Sequence, residues 1–268
     1  MTISSQDKYR RLLDLIKGYG SDRVGVACSG GVDSTLLAFA CCDAIGAERV
    51  VVCFAESCLL SEKLRDGIEG FIRDELPPGI TFIKVRIDSL GDKAFTRNDS
   101  SRCYICKKRI YTALFSHLTE FGIQRLCDGT NCDDLKKDRP GLRAIRELGV
   151  VTPLVDAGFH KSDVRAMAAT LGLGNADLPS NSCLATRIES LQPITDRALR
   201  EIERHECFLI DRGYEGCRVR PRETMVLIEV QDKDLNRLIK PEERSKIISY
   251  FQQNGYKSIL IDICERSR

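Results

Sequence analysis

The stretch Val24-Gly25-Val26-Ala27-Cys28-Ser29-Gly30-Gly31-Val32-Asp33-Ser34 decides the fold of this chain of 268 residues. An apolar strand (24–28) runs into a Gly/Ser loop. An apolar helix from about Thr35 to Ala44 follows, with Leu36, Leu37, Phe39 and Ala40 as its expected buried positions. A loop between strand and helix offers successive backbone N–H groups at a helix N-terminus, where the aligned peptide dipoles favour an anion. Gly30 and Gly31 let the backbone approach phosphate oxygens and take positive φ at little steric cost. Ser29 and Ser34 add hydroxyl donors. No lysine follows the glycines, so this is not the P-loop of ATPases, whose lysine reaches the β- and γ-phosphates. The expectation is a nucleotide held by its phosphates at Ser29, Gly30, Gly31, Val32, Asp33 and Ser34.

Outward from this loop, strand and helix patterns alternate. Tyr9, Leu12, Leu13 and Ile16 form a leading helical face that stops near Gly18 and Gly20. Val50 to Ala55 is a continuous apolar run, as expected of a strand covered on both faces. Ser61 caps a helix to Ile72, Pro77-Pro78-Gly79 breaks it, and Thr81 to Ile87 reads as a third strand. A helix to about Phe121 and a strand 125–128 follow. Repeated β-α units of this length predict an α/β fold: a Rossmann-like parallel sheet with right-handed crossovers, binding its ligand at the carboxyl ends of the strands. The style changes near residue 190. A helix from Thr195 to Gly213, strands at 218–220 and 225–230, a helix from Leu235 to Phe251 and a strand at 257–264 predict a small C-terminal α+β domain. The expected domains are 1–188 and 189–268.

Bulk properties exclude some classes. Forty-one basic and 39 acidic residues leave a formal charge of +2, too little for a broad nucleic-acid footprint. No apolar run reaches the roughly 18 residues of a membrane helix, and Met1 to Lys17 lacks a signal-peptide core, so a soluble cytoplasmic protein is expected. Thirteen cysteines without a secretion signal argue for thiols with metal or catalytic roles rather than a disulfide framework.

Further site candidates fall at strand ends. Glu56 follows the second strand, where adenosine would lie. Gly129, Thr130 and Asn131 follow the strand ending at Asp128 and suit close approach to phosphate or ribose. Asp33, Asp133 and Asp134 offer Mg²⁺ the few carboxylates it takes alongside phosphate oxygens, although an Asx turn with a helix cap explains the acidic pair equally. Arg139, before Pro140-Gly141, is a candidate phosphate or carboxylate clamp. Cys103 and Cys106 form a CxxC at a helix start, and Cys183 lies far downstream in Asn181-Ser182-Cys183-Leu184-Ala185-Thr186-Arg187. Three thiolates leave one iron of a [4Fe–4S] cluster open to an exogenous ligand such as sulfide. A zinc site, a Cys103–Cys106 disulfide and plain buried thiols remain alternatives at this spacing.

The Ser29–Ser34 string resembles the PP-loop of the ATP pyrophosphatases, which grip the β,γ-pyrophosphate as leaving group and pass AMP to an acceptor. Together with Arg102-Cys103-Tyr104-x-Cys106-Lys107, Gly129-Thr130-Asn131-x-Asp133-Asp134-Leu135, Arg139-Pro140-Gly141 and Cys183-Leu184-Ala185-x-Arg187-Ile188, it resembles the LarE family. The resemblance continues through Arg218-Val219-Arg220 and Ile228-Glu229-Val230. It departs at Glu189-Ser190-Leu191, where the family usually has Pro-Tyr-Gly.

The resemblance implies an adenine nucleotide alpha hydrolase-like fold and an ATP- and Mg²⁺-dependent sulfur transferase. Its acceptor would be pyridinium-3,5-biscarboxylic acid mononucleotide, a precursor of a nickel-pincer nucleotide cofactor. It further implies Cys183 as sacrificial sulfur donor or, with Cys103 and Cys106, as ligand of a [4Fe–4S] cluster that delivers sulfide. Arg187, Arg218 and Arg220 are the candidates for the substrate's anionic groups, since planar guanidinium matches carboxylate and phosphate at two points. Relatives suggest a homo-oligomer fed by sulfide or another sulfur donor. The competing expectations are a cluster-dependent tRNA thiolase of the same superfamily, an amide-forming synthetase, and a nucleotide-binding sensor without turnover.

Overall fold

The computed structural model describes residues 4–20, 23–136, 140–179 and 182–264. It divides into two compact units, the first comprising Met1–Phe95 and Ser100–Leu178, the second Thr96–Asp99 and everything from Pro179 onward. The division falls before the expected boundary after Ile188, because residues 182–187 are hydrogen-bonded into the second unit's helix and strands.

In the first unit, strands β1 (Val24–Ala27), β2 (Val50–Glu56), β3 (Thr81–Arg86) and β4 (Leu126–Asp128) form a parallel sheet in the order β3-β2-β1-β4. Both faces are covered, which is why β2 is apolar without alternation. Val24, Val26, Val50, Val52 and Phe54 join Leu12, Ile16, Leu36, Leu37 and Val164 in one core cluster. Val51, Cys53, Val85 and Leu126 join Tyr111, Leu114 and Leu118 of the helix Arg102–Glu120 in another. The chain steps outward from β1 to β2 to β3 and then returns to the other side of β1. The carboxyl ends of β1 and β4 therefore lie side by side, with Ala27 in register with Asp128, at a topological switch point. This is the expected Rossmann-like α/β architecture.

The helix after β1 spans Val32–Ile45, beginning three residues before the expected start. Val32, Asp33 and Ser34 are thus its first turn rather than loop, and an acidic residue there suits the positive end of the helix dipole. Three further helices occupy Pro140–Glu147, Pro153–Asp156 and Lys161–Thr170. Among the described residues no helix is long and apolar enough to cross a membrane.

The second unit holds the helix Asp196–Ile210 and a three-stranded sheet of β5 (Arg218–Arg222), β6 (Met225–Glu229) and β7 (Ser258–Ile261). Strands β5 and β6 pair antiparallel, β6 and β7 parallel. Leu209, Tyr214, Val219, Val226, Ile228, Ile247 and Phe251 make its core. The single helix expected over Leu235–Phe251 is two, Asp232–Leu238 and Pro241–Gln253. Pro241 lacks the N–H to continue the first helix but suits the opening turn of the second.

Candidate functional site

The helix Val32–Ile45 begins at Gly31 with no side-chain cap, so its first N–H groups have no side-chain acceptor at the helix end. Gly30 takes φ +76°, the left-handed region open to glycine. The serine hydroxyls fold back on the loop. Ser34 Oγ accepts from Ser29 N at 3.2 Å and donates to Gly31 O at 2.9 Å, and Ser29 Oγ accepts from Gly31 N at 3.4 Å. They brace the loop, and the N–H groups of the helix's first turn are left without a side-chain cap.

Around this loop the switch point gathers charge. Asp33 Oδ1 accepts from Asn131 Nδ2 at 3.0 Å, and Asp33 Oδ2 is ion-paired with Lys161 Nζ. Lys161 follows His160 at the start of its helix. It supplies the cation that the loop's own sequence lacks. Asn131 is buried and caps the turn Cys132–Leu135, its N–H donating to Asp134 Oδ2 at 3.1 Å while its Oδ1 accepts from Asp133 N at 2.9 Å. Asp133 is occupied by Lys136 Nζ at 2.7 Å, His160 Nδ1 at 3.1 Å and the N–H of Lys161 at 2.8 Å. The hydrogen bond from Lys136, then those from Lys161 N and His160, hold its carboxyl far below the usual range. Asp133 thus fixes the segment that carries Lys161.

Gly129 lies against the start of the loop helix. A Cβ there would stand 2.8 Å from Ser34 N and 3.0 Å from the Asp33 carbonyl carbon, closer than backbone tolerates. The preceding Asp128 accepts from Thr130 N at 2.8 Å and from the hydroxyls of Thr130 and Tyr111, with Lys107 Nζ at 3.8 Å. Burial pushes its carboxyl up, but Lys107 and these hydrogen bonds outweigh that and lower it. Lys107 follows Cys106, so the helix bearing the CxxC is tied to the end of β4. Cys103 is exposed and Cys106 half-buried, three apart near the start of that helix. Glu56, at the end of β2, pairs with Arg86 at 3.1 Å. Arg139 lies outside the described residues.

In the second unit, Cys183 is half-buried and opens the short turn Leu184–Arg187. Its carbonyl accepts from Thr186 Oγ1 at 2.8 Å and Arg187 Nη1 at 3.1 Å. Arg187 is only 2% exposed; its remaining donors reach Ser182 O and Oγ, both at 2.7 Å, and the carboxylate of Glu206. In this structure its donors are divided between the Ser182–Thr186 segment and Glu206, so it ties the turn that carries Cys183 to the helix Asp196–Ile210. Arg220 pairs with Glu229 and donates to Thr186 O at 2.6 Å, bracing the same turn. Arg218 lies 3.8 Å from the other oxygen of Glu229. Of the three arginines expected at substrate, Arg218 and Arg220 stay partly exposed, at 22% and 23% of their side chains.

Sequence reasoning assigned no role to Lys161, to Glu206 and Glu229 (the last met only within Ile228-Glu229-Val230), or to Asn175, whose side-chain amide donates to Gly30 O at 3.2 Å. The acid at the third helical position after His160 marks a helix start near Lys161; the other three carry no local signal. Among the described residues no group of three or more His, Cys, Asp or Glu side chains stands arranged around one metal position.

A parallel Rossmann-like sheet with an uncapped helix N-terminus and the Asp33–Lys161 pair at its switch point defines the class as an α/β protein, and the relatives refine that. No protein-family model matches the chain. An uncharacterized protein of Synechocystis sp. is 31% identical over 242 residues, 90% of this chain and 89% of that protein. An uncharacterized protein of Methanocaldococcus jannaschii is 29% identical over 250 residues, 93% of each. The pyridinium-3,5-bisthiocarboxylic acid mononucleotide synthase of Lactiplantibacillus plantarum is 28% identical over 241 residues, 90% of this chain and 86% of the synthase. The chain belongs to the family these proteins share, with a LarE-type synthase among its homologues.

Proposed function

We propose that the chain is an ATP-dependent sulfur transferase that converts a carboxylate of pyridinium-3,5-biscarboxylic acid mononucleotide to a thiocarboxylate. The observation that carries this reading is the set Ser29–Ser34, Asp33, Asn131 and Lys161 at the switch point of a chain whose homologues include the synthase. A carboxylate is a poor electrophile, because its charge and resonance repel a nucleophile. Its oxygen attacks the α-phosphorus of ATP, the bond to the β,γ-pyrophosphate breaks, and an acyl adenylate forms. The loop N–H groups and Lys161 take up the charge on the departing pyrophosphate, and it is this charge stabilisation that chiefly accelerates such a transfer. A sulfur nucleophile then adds to the acyl carbon and AMP leaves with the electron pair of the C–O bond.

Asp33 has acceptor capacity beyond Asn131 and Lys161, so with Asp134 it fits a Mg²⁺ that completes its shell with phosphate oxygens and water. Cys103, Cys106 and Cys183 are accessible or half-accessible thiols of the type that holds iron–sulfur groups. On the family resemblance they are the candidate ligands of a [4Fe–4S] cluster, which would supply sulfide on the iron without a protein ligand. Cys103 and Cys106 belong to the first unit and Cys183 to the second, and among the described residues no three such side chains are grouped around one position. Arg218 and Arg220 present guanidinium edges to the substrate's anionic groups, and Arg187 keeps the Cys183 turn in place.

The test is pyrophosphate release with this mononucleotide as acceptor, beside iron and sulfide analysis of anaerobically purified protein. Equimolar AMP and pyrophosphate, and about four irons per chain lost in Cys103→Ala and Cys183→Ala, are expected. No pyrophosphate with this or related carboxylates overturns adenylation. Iron-free protein with dehydroalanine at position 183 after turnover replaces the cluster by a sacrificial cysteine.

A further inference from the structure

A loop that binds an anion through its N–H groups must keep its carbonyls pointing elsewhere. The peptide between Gly30 and Gly31 is the weak point, because a glycine on each side gives it more freedom to flip than any other peptide. A flip there would exchange the Gly31 N–H, which in this structure donates to Ser29 Oγ at a long 3.4 Å, for a carbonyl oxygen that repels an anion. In this structure both glycine carbonyls are anchored from behind. Asn175 Nδ2 donates to Gly30 O at 3.2 Å and to Thr35 Oγ1 at 3.0 Å, and Thr35 Oγ1 in turn donates to Gly31 O at 3.2 Å. Asn175 is 1% exposed, Thr35 fully buried. The amide orientation is fixed by the partners: the reverse assignment would set Asn175 Oδ1 against Gly30 O, acceptor against acceptor. Asn175 Oδ1 has no partner among the described residues. A buried amide with its acceptor unmet is costly, so its donors account for its placement.

We infer that Asn175 is a positioning residue for the Ser29–Ser34 loop, locking the Gly30–Gly31 peptide in the orientation that receives pyrophosphate. The inference rests on the nucleotide reading above and adds a residue to it that touches neither nucleotide nor substrate. Because the locked peptide faces the β,γ-phosphates, its loss weakens ligands that carry them and spares AMP. A merely structural role would weaken all three ligands alike.

The experiment is calorimetric titration of the full chain with a non-hydrolysable ATP analogue, inorganic pyrophosphate and AMP, each with Mg²⁺. The variants are Asn175→Ala, Asn175→Asp and Thr35→Val. Asn175→Ala and Asn175→Asp are expected to weaken the analogue and pyrophosphate about tenfold or more, and Thr35→Val about threefold, with AMP unchanged in all three. Thr35→Val keeps the buried shape and carries the test if the Asn175 variants do not fold. Wild-type protein that binds neither the analogue nor pyrophosphate overturns the nucleotide reading itself. Wild-type binding with unchanged variants, or with AMP weakened in parallel, overturns the role of Asn175 and leaves that reading standing.

Discussion

The guanidinium of Arg187 and the carboxylate of Glu206 meet at two points, Nε to Oε1 at 2.8 Å and Nη2 to Oε2 at 3.1 Å, with 2% and 9% of their side chains exposed. Glu206 Oε1 also accepts from Val219 N at 3.0 Å, so one carboxylate links the Cys183 turn, the helix Asp196–Ile210 and β5. Such a pair gains little over an apolar core, but breaking it is expensive because the surviving charge stays buried.

Glu206→Ala is therefore expected to destabilise the protein by about 3–5 kcal/mol, read from urea unfolding. Glu206→Gln, which keeps the shape and one acceptor, should cost less. A cost below about 1 kcal/mol for the alanine variant would mean that Arg187 finds other acceptors or water.

Gly129 and Gly67 make a matched pair. Gly129→Ala drives a Cβ into the backbone at Ser34 and Asp33 and should cost about 1–3 kcal/mol while weakening nucleotide binding. Gly67 sits inside the helix Glu62–Glu75 with nothing within 4 Å of an added Cβ, so Gly67→Ala should stabilise by about 0.5–1 kcal/mol. Thermal unfolding with and without ATP separates the two; equal effects would refute the close approach at Gly129.

Lys161→Met removes the cation beside Asp33 without opening a cavity. The pair is partly exposed, at 25% and 23% of the two side chains, so stability should change by less than about 1 kcal/mol. Pyrophosphate release should fall about 100-fold, as for loss of one charge-stabilising donor. A rate near wild type would remove Lys161 from the leaving-group site.

His205 has no exposed surface; its Nδ1 faces Tyr250 Oη at 3.0 Å. Burial first, then the charge of Arg204, push its pKa down to about 4 from 6.5, against the opposing pull of Glu201. Between those values the unfolded chain binds a proton that the folded one refuses, so stability is lost as pH falls from 6.5 towards 4. The loss reaches about 3 kcal/mol. Urea midpoints of wild type and His205→Phe across this range should show the acid slope only in wild type; parallel slopes would assign it to other groups.

The strand Val24–Ala27, the helix after it and the covered strand Val50–Glu56 were legible because each is a contiguous apolar run with glycine punctuation. The start of the helix at Val32 was not, since Asp33 and Ser34 look like loop yet suit a first turn. The break at Pro241 was hidden by continuous periodicity from Leu235 to Phe251. At the site, local strings marked Ser29–Ser34 and Asn131, but Lys161 and Asn175 stand 128 and 145 positions from the groups they contact. No window along the chain contains both partners. For Arg187 the charge is visible in sequence, whereas the burial that turns it toward Glu206 depends on residues further along the chain.

Residues 96–99 lie inside the first unit's sequence but belong to the second, where Asn98 Nδ2 donates to the carbonyls of Glu189 and Gln192 at separations of 91 and 94 residues. During synthesis these four residues leave the ribosome long before their partners exist. The entropy of closing so long a loop grows only as the logarithm of its length, so the consequence is one of timing. Residues 96–99 cannot be anchored until the chain is translated past Ile194, whose N–H bonds Thr96 O at 2.9 Å. For the same reason a single cleavage cannot release the second unit whole, and any attempt to express it alone must bring 96–99 along as a separate segment.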